Sequence, residues 1–301
     1  MRNTSSIIDP STDSRFVQDN SRTNTVLVSG IAKGIFKGAL IATLTLAVSA
    51  YIYLLPHKDN LAAANTRLTV WSWDYPQDLT FIKSGMADIA YYAGTLYLHE
   101  GRLFFQERAR YKPLKIASGV LAYPVIRIET EGKAGDISNQ DEIIAGISRA
   151  VLDMEKRSNS KKIQIDFDAR ESERDFYIAL LKTLQTKLSP DTRLEITALA
   201  SWCGDDSFIK DGLCDRQIPM LFSMGPEEKV KEKASKKTEA ILSHIDKARF
   251  KTIGLSVNEP QTNQVIKASG LLANSTDLYL FSSTPWTKES WRKLQQELVS
   301  K

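Results

Sequence analysis

The chain has 301 residues, enough for one large domain or two ordinary ones, and its 42% hydrophobic and 25% charged residues suit a globular protein with a sizeable core. The net charge of +4 is small, and the Lys and Arg are interleaved with acids, so no nucleic-acid partner is expected. Three scattered histidines (His57, His99, His244) and two cysteines argue against a structural zinc site, which needs about four ligands at characteristic spacing.

Residues 1 to 24 are rich in Ser, Thr, Asn and Asp without an apolar period, and predict a disordered tail. Residues 38–55 (GALIATLTLAVSAYIYLL) carry no charge. That length lies at the lower end of the range, about 17–25 residues, that crosses a bilayer as a helix. Lys33 and Lys37 precede the run and keep the N-terminus cytoplasmic. We therefore read 1–37 as a cytoplasmic tail, 38–55 as a transmembrane signal-anchor, 56–66 as a linker and 67–301 as an exported domain. A cleaved signal peptide, with Ala62-Ala63-Ala64 before Asn65, is the alternative, and a buried core helix a third reading. Export would allow Cys203 and Cys214 to close a short loop as a disulfide; two reduced cysteines are the other possibility.

In the exported domain, short apolar runs alternate with helical patterns. Strands are predicted at Leu68–Trp73, Ala87–Tyr92, Val120–Ile128, Ile163–Asp168, Leu194–Leu199, Ile218–Phe222, Thr252–Val257 and Asp277–Phe281. A short helical segment follows Pro76, and a hairpin over Thr95–His99 and Arg102–Glu107 is inserted on the main path. Pro124 predicts a bulge or an edge in the third strand. Helices are expected at Asp141–Arg157, after a capping box at Ser172-Glu173-Arg174-Asp175, at Glu227–Ala248, near Gln264–Ala268 and at Lys288–Val299. Eight strands alternating with helices over about 235 residues have the size and rhythm of a (β/α)8 barrel. An open doubly wound sheet is the runner-up. Trp73-Asp74-Tyr75-Pro76 stands where a Gly-rich phosphate turn would follow the first strand, so no nucleotide cofactor is expected.

In a barrel the C-terminal strand ends converge on one mouth. Side chains alternate along a strand, so Gln164, Asp166 and Asp168 share one face, while Ile163, Ile165 and Phe167 share the other. Two carboxylates on one face repel, which raises the pKa of one and keeps an acid protonated near neutrality. Asp168, with Asp166 tuning its charge, is the candidate general acid/base; an ion-paired structural role, through Arg127 or Arg170, is the competing reading. The strand ends also supply Trp71, Trp73, Tyr91, Arg127, Trp202, Glu259 and Trp286 as candidate substrate-binding residues, although Glu259 also suits a helix start. Aromatic faces and carboxylates without a metal-ligand cluster fit a carbohydrate.

Asp166-Phe167-Asp168 at the end of a fourth strand resembles the motif Asp-x-x-Asp-x-Asp-x-Glu of chitinase-like (family 18) glycosidases, whose final Glu is the general acid. Here that position holds Arg170. Ile165 to Ala169, Ser172-Glu173-Arg174, Ile196 to Cys203 and Val70-Trp71 are similar to an uncharacterised bacterial family of predicted (β/α)8 proteins related to glycoside hydrolases. The resemblance spans roughly Leu68 to Lys301 and implies a barrel with a sugar-related pocket. Together with the apolar run, it suggests a single-pass inner-membrane protein with its C-terminal domain in the periplasm. That domain would act on a glycan, or serve as an inert glycan-binding scaffold.

Overall fold

A computed structural model describes residues 66–131, 139–203, 207–222, 251–259 and 277–299, all within the second of two units, Asp59–Lys301. The expected tail, apolar run and most of the linker lie outside these residues, as do the helices expected at Glu227–Ala248 and Gln264–Ala268. No helix among the described residues is long and apolar enough to cross a membrane.

The strands are β1 (Leu68–Ser72), β2 (Gln77–Leu79), β3 (Asp88–His99), β4 (Arg102–Glu107), β5 (Leu114–Ile116) and β6 (Ala122–Glu131), then β7 (Lys162–Asp166), β8 (Arg193–Leu199), β9 (Arg216–Met220), β10 (Thr252–Ser256) and β11 (Asp277–Phe281). The described helices are α1 (Gln140–Ser158), α2 (Arg174–Lys187) and α3 (Lys288–Val299). Eight strands pair in parallel in the order β1-β11-β10-β9-β8-β7-β6-β3, and β3 returns to β1 to close the ring. This is a TIM-type barrel, and the open-sheet alternative is excluded.

Alternation along the strands divides the apolar residues into two layers. Ile163 and Ile165 of β7, Phe167 just beyond it, and Ile143, Ile147 and Val151 of α1 belong to the outer core. The barrel interior holds Trp71, Tyr123, Val125, Ile218, Met220 and Tyr279. A polar chain runs through the same interior. Lys162 Nζ lies 3.1 Å from Asp88, the Tyr123 hydroxyl donates to that of Tyr279 at 3.2 Å, and Tyr279 donates to the buried Glu195 carboxylate at 2.6 Å. Arg216 pairs with Asp277 at 2.6 Å and lies 3.9 Å from Glu195.

The first two crossovers differ from the expected rhythm. No helix follows Pro76; β2 forms there and pairs in parallel with β5. The expected second strand and the first arm of the hairpin are one continuous strand, β3, with a bulge between Tyr92 and Gly94. Above the bulge β4 takes the place of β1 as the neighbour of β3. The irregularity thus lies in β3 and not at Pro124, which sits just before β6 begins to pair with β7.

Candidate active site

The fourth barrel strand behaves as its alternation requires. Gln164 and Asp166 point into the barrel, and Phe167 packs outward, edge-on to Phe176 and Tyr177 of α2. Gln164 Oε1 accepts a hydrogen bond from the Trp71 indole at 3.2 Å. Asp166 accepts one from the Thr197 hydroxyl at 2.7 Å. Arg127, in register with Asp166 on β6, places its guanidinium 3.9 Å from that carboxylate and 2.7 Å from Glu129. It also lies over the Trp73 ring, 5.6 Å from the centroid.

Asp168 stands two residues past the end of β7, with its side chain open to solvent. Desolvation by the surrounding protein, then repulsion from Asp166, pushes its carboxyl up to about 6; Arg127 opposes this and Glu129 adds to it. Burial also raises the pKa of Asp166, against its Thr197 hydrogen bond and the Arg127 charge. The site therefore carries an accessible acid that is half protonated near pH 6, above a buried carboxyl.

Arg170 does not take a catalytic acid's part in this geometry. Its guanidinium reaches the Thr130 carbonyl at 3.4 Å, and its backbone N–H donates to the Glu173 carboxylate at 2.7 Å. Glu173 also accepts from the Thr130 hydroxyl at 2.6 Å. The cap expected at Ser172 is thus formed two residues earlier, at Arg170, and a 3-10 turn over Glu171–Glu173 leads into α2. The reason is that Glu173 is the buried partner and closes the turn onto Arg170.

The aromatic candidates separate. Trp71 and Trp73 line a cavity of about 20 Å³ together with Gln164, Asp166, Phe222 and Phe281; that is room for about one water molecule. The Phe222 and Phe281 rings, both in its lining, stack on each other, 5.1 Å apart and within 4° of parallel. Trp202 is instead buried in the outer core against Phe208 and Tyr177, because β8 ends at Leu199 and a 3-10 turn carries the chain away from the mouth. Trp286 is buried too, donating its indole N–H to the Trp71 carbonyl at 2.9 Å. Tyr91 faces outward against the core, and its neighbour Tyr92 faces inward, 5.2 Å from the Trp73 ring. Glu259 is buried after β10 and is not among the cavity-lining residues. Cys214 is a free thiol packed against the core, its pKa pushed up to about 12 by burial, so the expected bridge to Cys203 is not formed. Sequence reading left out Thr197, Phe222 and Phe281 as site residues; the inward parity of β8, β9 and β11 is the signal that would have included them.

No protein-family model matches the chain, and no curated protein does. Among solved structures it is similar to one described as chitinase A from Streptomyces coelicolor, with a TM-score of 0.50 and 12% identity over 78% of this chain and 97% of that one. The spore cortex-lytic enzyme SleL of Bacillus cereus follows at 0.47 and 13% identity, covering 77% and 75% of the two chains. The chitinase ChiC of Aspergillus fumigatus gives 0.43 and 9%, covering 77% and 98%. The similarity to chitinase-like glycoside hydrolases is distant, and at this level of identity it is a likeness of fold, that of the parallel eight-stranded barrel.

Proposed function

We propose that the barrel is a glycoside-hydrolase-type enzyme acting on an envelope or exported glycan, anchored to the membrane by residues 38–55. The observation that carries the reading is Asp168, an accessible carboxyl with a pKa of about 6 at the barrel mouth. A group poised there holds a proton close to neutrality and can deliver it to the glycosidic oxygen as the C–O bond breaks. Asp166, fixed beneath it by Thr197, adds its repulsion to the desolvation that raises this pKa. Glu129, on the same face and oriented by Arg127, supplies a second carboxylate to activate water, as hydrolysis requires. Trp73 offers an apolar face beside these groups.

The test is to incubate the full-length protein with a panel of envelope and exported polysaccharides and follow both binding and cleavage. Asp168→Asn should keep binding while lowering turnover at least 100-fold, within the usual worth of a general acid/base. Unchanged turnover would remove Asp168 from the mechanism. A second reading, an inert glycan-binding protein, is favoured by the small size of the cavity that the stacked Phe222 and Phe281 line. Binding without cleavage by either form would support it.

A further inference from the structure

Beyond its bulge β3 continues past the end of β1, and β6 continues past the end of β7. Together with β4 they form a three-stranded sheet that projects from the rim of the mouth. Its register stacks three rows on the mouth side. Gln106, Thr95 and Arg127 align with Asp166; Phe104, Tyr97 and Glu129 form the next row; Arg102, His99 and Glu131 form the last. The opposite face is spent on packing, with Leu96, Leu98, Ile126 and Ile128 in the outer core and Leu103 and Phe105 against it.

On the mouth side Phe104 is 54% exposed, with Tyr97 half-buried beside it. Around them stand side chains of both signs: Arg127 pairs with Glu129 at 2.7 Å, His99 lies 3.0 Å from Glu131, and Arg102 stands beside His99 in the last row. An exposed aromatic ring bordered by hydrogen-bonding groups of both signs, with no excess of either, suits an uncharged ligand that has flat apolar faces and a rim of hydroxyls. A protein partner would require about 800 Å² of complementary surface on each side, which one exposed ring among polar side chains does not provide.

We propose that this strip binds the sugar units that extend beyond the mouth, an uncharged pyranose chain stacking on Phe104 next to Tyr97. The strip is continuous with the candidate site, since its first row contains Arg127 and is in register with Asp166. The inference rests on the glycan reading above and adds where the chain runs and which residue measures its length.

Titration of the full-length protein with cello- and chito-oligosaccharides of two to six units tests it. Affinity should rise with length. Phe104→Ala should weaken six-unit binding about tenfold, the worth of one good aromatic contact, with the loss vanishing at two units, and Phe104→Tyr should restore it. An unmoved six-unit affinity, or an equal loss at two units, overturns the strip but leaves the glycan reading standing. If no oligosaccharide of any length binds, the strip proposal falls, and the glycan reading is decided by the polysaccharide panel. If light scattering shows Phe104→Ala converting a dimer to a monomer, the strip is a self-association surface and the proposal is wrong.

Discussion

Asp168 has solvent on one side and the buried Asp166 carboxyl behind it, and this position has a cost as well as a use. An acid whose folded pKa of about 6 lies above its unfolded value of about 3.9 binds its proton more tightly in the folded state. The resulting stabilisation is fully present below pH ~4 and is lost as pH rises through ~6. Asp168→Asn should therefore flatten this part of the stability profile and melt higher than the wild type at pH 7. Thermal melts of the two proteins between pH 4 and 7 check this; parallel curves would show that the carboxyl is not desolvated. The Asp166/Asp168 pair was legible in the sequence because period-two alternation alone places both on one face. Tyr91 was misplaced for the same kind of reason. In Ala90-Tyr91-Tyr92-Ala93 either tyrosine can face inward, and the choice depends on a register fixed by β1 and β6, far away in sequence.

At the scale of elements, the bulge in β3 decides which residues reach the mouth. It leaves Ala93 and Gly94 both on the outer side, so Tyr92 and Thr95 face inward together and share a hydrogen bond at 2.8 Å. Gly94 is required by crowding: a Cβ there would stand 2.6 Å from the Gln106 carbonyl oxygen and 2.8 Å from the Phe105 ring. A backbone oxygen cannot yield as a flexible side chain can. Gly94→Val should therefore cost about 1–3 kcal/mol, as overpacking does, by forcing β4 away from β3. Urea unfolding would measure that loss, and a neutral result would show that the hairpin shifts freely. The barrel strands other than β3, and α1, were readable from their apolar periods. The three-residue strands β2 and β5 were not, because so short a segment has no period and forms only through its partner.

For the whole molecule, the interior is an ionic structure as much as an apolar one. Glu195 is 1% exposed and is held by Tyr279 and Arg216. Removing the guanidinium leaves a buried carboxylate with too little compensation, so Arg216→Met should cost about 3–5 kcal/mol. Adding Glu195→Gln should return part of it, and a denaturant-based double-mutant cycle would read the difference; strict additivity would mean that the two groups do not interact. This network was out of reach for sequence reading, because its members come from three strands and meet only when the ring is closed. That closure has a further consequence for how the protein is made. The seam joins Leu68 to Leu278, the first strand to the last, so the loop-closure entropy of nearly the entire domain precedes the final pairing. No N-terminal portion emerging from a ribosome can complete the ring by itself. A nascent chain of this topology stays incompletely folded, and so able to be threaded through a narrow passage, until its C-terminal strand has been synthesised.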